Sequence, residues 1–169
     1  MFAVGDYIIH PLHGAGVVEE IVKRPVKSGS REYREYYVFR AFDDNITVML
    51  PVSSCEEIGV RAVVTPDEAQ TALDSFADMV CPVCENWNRR YRDNMERLKS
   101  GKIEEVMLVV KTLMLRENKR QLSTGERKLF STAKRILYSE LSLVTDKTPE
   151  VLDAYFLSAL FHDEHPTNL

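Results

Sequence analysis

The chain has 169 residues, 44% of them hydrophobic, with a formal net charge of −4; that suffices for one large or two small packed domains and argues against indiscriminate polyanion binding. No run of about 18 apolar residues occurs, which excludes a helical membrane span, and the three cysteines, an odd count, provide no disulfide framework. The opening Met1–Asp6 has no basic region followed by an apolar block, so a secretory signal is not expected and a cytoplasmic location is.

Residues 2–64 read as strands. Val4–His10 alternates loosely and stops at Pro11, His13–Gly16 is a turn signal, and Val17–Val22 follows as a second strand. Pro25–Ser30 is a polar connection, and Glu32–Phe42 is a long aromatic and β-branched run suited to a strand. Asp43-Asp44-Asn45 turns the chain into Ile46–Pro51, a candidate sheet edge able to accept a strand from another protein. Short strands joined by short loops predict a small, strongly bent antiparallel sheet or half-open barrel, with no helix before residue 66.

The character changes at residue 65. Thr65-Pro66-Asp67-Glu68 is a capping box with proline at the first helical position, and it opens a helix over about 66–77. Cys81-Pro82-Val83-Cys84 interrupts the pattern. Further helices are predicted over about 86–99, 102–118, 124–143 and 149–161, the fourth opened by the capping box Ser123–Glu126. The expected fold is therefore α+β with two domains, a β-domain over 1–64 and an all-α five-helix bundle over 65–169.

Charge is unevenly spread. Residues 86–135 carry 14 Lys and Arg against 6 Asp and Glu, while the remainder carries 8 against 20. A cationic segment in an acidic chain is the footprint of localised nucleic-acid contact, although basic helices also pair with acidic neighbours. Within it, Trp87, the only tryptophan, shares one helical stripe with Tyr91, Met95 and Leu98, while Arg89, Arg92 and Lys99 point elsewhere. A ring on such a stripe ordinarily enters a core. A planar ring beside guanidinium groups also suits stacking on an unpaired base while phosphates are held.

Other motifs carry less chemistry. Cys81 and Cys84 form half of a zinc knuckle or a redox pair, and the remaining ligands available to a metal are Cys55, His10, His13, His162 and His165. Gly14-x-Gly16 lacks the lysine and third glycine of phosphate loops and reads as a hairpin turn. The tyrosines of Glu32–Phe42 offer a base-stacking platform or, more commonly, sheet core. Adjacent carboxylates such as Glu19-Glu20 and Glu104-Glu105 do not form a catalytic dyad, and nothing argues for an enzyme or a cofactor.

Two stretches together carry a family resemblance. Ala3–Gly16 resembles the opening of the CarD/CdnL transcription regulators, shared with the polymerase-interacting domain of the transcription-repair coupling factor. Asn86–Tyr91 with Asn94–Gly101, continued by Leu122–Arg127, is similar to the helical-domain signature of CarD/CdnL itself. The resemblance implies a Tudor-like β-domain that docks on the RNA polymerase β subunit by strand pairing, through Thr47, Val48, Met49, Leu50 and Pro51, with Arg24 where the family carries a basic contact. Met49 falls where some members carry an arginine. The resemblance also implies that Trp87 wedges into promoter DNA at the upstream edge of the bubble. Arg89 and Arg92 then hold the backbone, Arg90 belongs to the same DNA-binding set, and the open complex is favoured in a nucleoid-associated protein. The competing reading is a zinc-stabilised adaptor that binds proteins and makes no DNA contact.

Overall fold

The computed structural model describes residues 1–29, 31–43 and 45–161; Ser30, Asp44, His162 and His165 lie outside them. The order of elements is β1 (Tyr7–His10), β2 (Gly14–Pro25), β3 (Tyr33–Ala41), β4 (Thr47–Pro51), α1 (Cys55–Ile58), β5 (Arg61–Ala62), α2 (Pro66–Ser75), α3 (Trp87–Lys99), α4 (Ile103–Lys119), α5 (Thr124–Thr145) and α6 (Pro149–Phe161). The class is α+β. The strands form one antiparallel sheet in the order β4-β3-β2-β1-β5. A bulge between Val18 and Glu20 re-aims β2 midway along its ladder with β3.

Several expectations shift. β1 begins at Tyr7 rather than Val4, because Gly5 takes a left-handed φ of 93° and bends the chain. The hairpin turn is Pro11–His13, and Gly14 and Gly16 belong to β2, paired with His10 and Ile8. A helix does form before residue 66: α1 is a single turn ended by Gly59 in the left-handed region at φ 88°, too short to register as a helical period. β5 is two residues long and escapes pattern reading for the same reason. The capping box at Thr65 and Glu68 is present with Pro66 behind it, and α2 ends where the buried Lys111 ammonium donates to the carbonyls of Phe76, Ala77 and Met79 at 2.9, 2.6 and 2.7 Å. A cation there satisfies the carbonyl of the helix cap and those of the turn beyond it, which have no partner within the helix.

Ile8 and Ile9 are both wholly buried, but in opposite directions, as alternation along a strand requires. Ile8 enters the β core with Val18, Tyr37, Phe39, Ala41 and Leu50. Ile9, with Ala15, enters the helical core of Leu98, Met107, Val110, Leu113, Ile136 and Leu137. The two halves of the chain therefore share packing. Gly14 lies so close to α5 that a Cβ there would sit 2.6 Å from Ser139 Oγ, the same oxygen that accepts from Ala15 N at 3.0 Å.

One ion pair fastens this seam. Glu140, on α5 and 1% exposed, accepts both terminal nitrogens of Arg61 at 2.5 and 2.7 Å and the Val64 amide at 3.1 Å. Arg61 Nε donates onward to Gly101 O at 2.5 Å. Removing one partner of such a pair leaves a desolvated charge and costs about 3–5 kcal/mol. β5 and the helical face are thus held at a fixed spacing.

Candidate functional site

The first candidate surface is built where two helices begin. Asn86 caps α3, its side-chain oxygen accepting from Arg89 N at 2.9 Å, so Trp87 is the first helical residue. Ser123 caps α5 in a capping box with Glu126. The indole of Trp87 lies across this second start: its Nε1 donates to Ser123 Oγ at 3.0 Å, and its ring stacks on Tyr91 at 5.4 Å with planes 17° apart. The Trp87 and Tyr91 rings also cover Gly125, where a Cβ would meet Trp87 Cζ2 at 3.5 Å. Leu98 at the far end of the stripe is sealed in the core, Met95 and Tyr91 are partly buried, and Trp87 remains 43% exposed. One face of the indole is therefore held by protein while its accessible area faces water.

The four predicted DNA-contact residues do not stay together. Arg89 is exposed, with a loose 3.7 Å pair to Asp93, and Arg92 is exposed with no ion pair among the described residues. Arg90 is 5% exposed and points inward. Its Nε donates to Glu126 Oε1 at 2.8 Å, and one terminal nitrogen donates to the carbonyls of Cys84 and Glu85 at 2.9 and 3.2 Å. Arg90 is a structural cation, and we do not carry it into the DNA-contact set. The spacing held the signal: at the helical period residues 87, 90, 94 and 98 share a side, and Arg90, Asn94 and Leu98 are the buried residues of α3.

Glu126 is the counterpart. Its Oε1 also lies 3.3 Å from Arg116 Nε, and its Oε2 accepts from the Ser123 hydroxyl and amide at 2.9 and 3.2 Å. Burial alone would raise this carboxyl, but the Arg90 and Ser123 hydrogen bonds outweigh it and hold it below the ordinary value. The same Ser123 hydroxyl that donates to Glu126 accepts from the indole, so the carboxylate fixes the partner that fixes the ring. Exposed Arg127 and Lys128 follow in the opening turns of α5, and sequence reading did not single them out. Much of the remaining local charge is spent internally, on Arg97–Glu105, Lys134–Asp153 and the buried Lys111.

The second candidate surface is the free edge of β4. The Ala41 amide donates to Ile46 O at 2.9 Å, which marks that pair as hydrogen-bonded. Alternation along the antiparallel ladder then turns the backbone groups of Val48 and Leu50 toward β3 and those of Thr47 and Met49 off the sheet. Side chains divide likewise: Leu50 is core, Val48 packs against it, and Met49 is 44% exposed beside Thr47 and Pro51. Of the five strand residues expected to dock, Val48 and Leu50 thus hold the strand in place rather than present side chains. Arg24 pairs with Arg34 two registers beyond the Tyr36–Pro51 pair, on the same sheet face as Met49. The aromatic strand serves mainly as core, with Tyr37 and Phe39 sealed and Tyr33 exposed at its outer end.

The zinc-adaptor reading finds no support, since among the described residues no three His, Cys, Asp or Glu side chains are placed to hold a metal. The His10 and His13 rings lie 4.7 Å apart with planes tilted by 42°, and burial, followed by His13, lowers the His10 pKa to about 4. No described helix is long and apolar enough to cross a membrane.

Lowering the pH should strip Glu126 of its role. Its folded pKa lies below the ordinary 4.5, so its contribution is complete above that value and is lost as pH falls through the folded one. Glu126→Gln should cost about 3–5 kcal/mol at neutral pH and flatten the fall in thermal stability below pH 4.5, as read by circular dichroism. An unchanged acid slope in the variant would contradict this role.

Comparison with known proteins agrees with both halves. Residues 2–64 match the family described as CarD-like/TRCF RID domain, and residues 71–156 match that described as CarD, C-terminal domain. The chain is 31% identical over 159 residues to YdeB of Bacillus subtilis (strain 168), named there as a proposed transcription factor, covering 92% of this chain and 99% of that one. Matched in both halves and along nearly its whole length, the chain belongs to the CarD/CdnL family.

Proposed function

We propose that the protein is a non-enzymatic transcription regulator that docks on RNA polymerase through the edge of β4 and stabilises opened promoter DNA with Trp87. In this reading the β half, residues 1–64, supplies the polymerase contact and the helical half, residues 65–169, supplies the DNA contact. The observation that carries it is the state of the indole: the single tryptophan is braced on Ser123 and Tyr91, yet 43% of it is open to solvent.

Melting a duplex creates a fork where one base step has lost its stacking partner. An aromatic face presented there refills the stack, worth about 1–3 kcal/mol by substitution. Because only the opened state offers that step, the contact shifts the equilibrium toward it. Exposed Arg89 and Arg92 on α3, with Arg127 and Lys128 on α5, supply sequence-independent phosphate contacts that weaken as salt rises. Two helix N-termini converging on the indole add positive potential to the same spot.

Docking on the polymerase proceeds by strand addition. Thr47 and Met49 offer main-chain donors and acceptors off the sheet, and the sheet face around them carries Arg24, Arg34 and Arg40. Strand pairing gives affinity through the backbone, so it tolerates the side chain that happens to occupy Met49. Holding the wedge beside the enzyme raises its effective concentration at one fork, which explains how an acidic chain uses a small basic face.

Trp87→Ala should keep the fold and the polymerase contact and shorten the lifetime of competitor-challenged open complexes about tenfold, one stacking contact. Unfolding of the variant, or an unaltered lifetime, would remove the wedge assignment. Met49→Pro deletes an amide that points away from β3, so co-elution with polymerase should fall sharply while thermal stability is nearly kept, as edge strands tolerate proline. Undiminished co-elution would send the docking site elsewhere.

A further inference from the structure

A cavity of about 390 Å³ lies between the segment 81–85, Arg90 and the second half of α4. That volume falls within the usual range for a small-molecule site. Its walls are cationic, with Arg90, Arg116, Lys119 and Arg120 facing a single lining acid, Glu85. Cys81 and Cys84, both free and half-buried, form part of its rim.

Two buried polar atoms on its lining residues lack a hydrogen-bond partner among the described residues, Thr112 Oγ1 and Arg116 Nε. The latter lies 3.3 Å from Glu126 Oε1, but without hydrogen-bond geometry. Glu126 already offsets Arg90 and Arg116, so an oxyanion entering the cavity meets chiefly the charge of Lys119 and Arg120. Lys119 and Arg120 enter no ion pair among the described residues, so their charge is available to it.

We propose that this cavity binds a small phosphate-bearing anion, held by Lys119 and Arg120 with the Arg116 side chain beside them. A phosphate monoester or diphosphate fits the chemistry: several oxygens, at least two charges, and a size compatible with the enclosed volume. Concavity favours a small molecule over a nucleic-acid backbone, which follows convex or open basic surfaces. The site is independent of how Trp87 is used, since Trp87 does not line it.

Inorganic pyrophosphate titrated into the full chain, with iodoacetamide alkylation of each cysteine followed by mass spectrometry, tests this. The cysteines serve as reporters because Cys81 and Cys84 line the cavity while Cys55 is sealed in the β core. Expected is a saturable slowing at Cys81 and Cys84 but not Cys55, absent with sodium chloride of equal ionic strength. The Lys119→Ala/Arg120→Ala variant should require about tenfold more pyrophosphate, the worth of one charge-assisted hydrogen bond. No slowing, equal slowing in the variant, or slowing by duplex DNA and not by pyrophosphate would overturn the assignment.

Discussion

Glu126 carries its charge at 2% exposure, a position a carboxylate occupies only with full compensation. Here the compensation is divided by oxygen. Arg90 from α3 and Arg116 from α4 stand at Oε1, and the hydroxyl and amide of Ser123 at Oε2. One residue of α5 thereby ties three helices together at the point where two of them begin. Everything proposed for the indole depends on that arrangement, because Ser123 cannot hold Trp87 unless Glu126 holds Ser123. The cost of ordering the ring is met during folding, so on the proposed reading little conformational freedom remains to be lost when a base is met.

The second constraint is the seam between sheet and helices. Glu140 and Arg61, the close approach of Gly14 to Ser139, and the donation of Ala15 N to the same serine fix the β half against α5. A strand edge and an aromatic wedge joined by a loose linker would sample many separations. Joined by a buried ion pair and a shared core that runs from Ile9 to Leu137, they keep one. That geometry suits a protein whose two proposed contacts lie on one fixed target, where linkage gains most when the spacing already matches.

Local signals were legible in the sequence and long-range ones were not. The capping boxes Thr65–Glu68 and Ser123–Glu126 and the stripe Trp87, Tyr91, Met95 and Leu98 depend on neighbours within four residues, and each stands where its spacing places it. The character change at residue 65 is visible for the same reason, whereas the edge position of β4 is set by the order of the whole sheet. Arg90 falls into the expected DNA-contact set because charge along a sequence carries no direction; its partner lies 36 residues away. Leu50 and Val48 fall into one expected docking strand with Met49, whereas the pleat gives them opposite tasks. The single-turn α1 and the two-residue β5 are set by tertiary contacts and lie below the length at which periodicity speaks.

The central claim is that one indole is offered to a broken base stack. Trp87 is the only tryptophan, so its emission reports on that ring alone. Titrating the protein with a forked promoter fragment and with an intact duplex of the same sequence and length, at one salt concentration, compares the two partners directly. Strong saturable quenching by the fork with little quenching by the duplex is the predicted result. Equal quenching by both, or no change with either, would contradict the account.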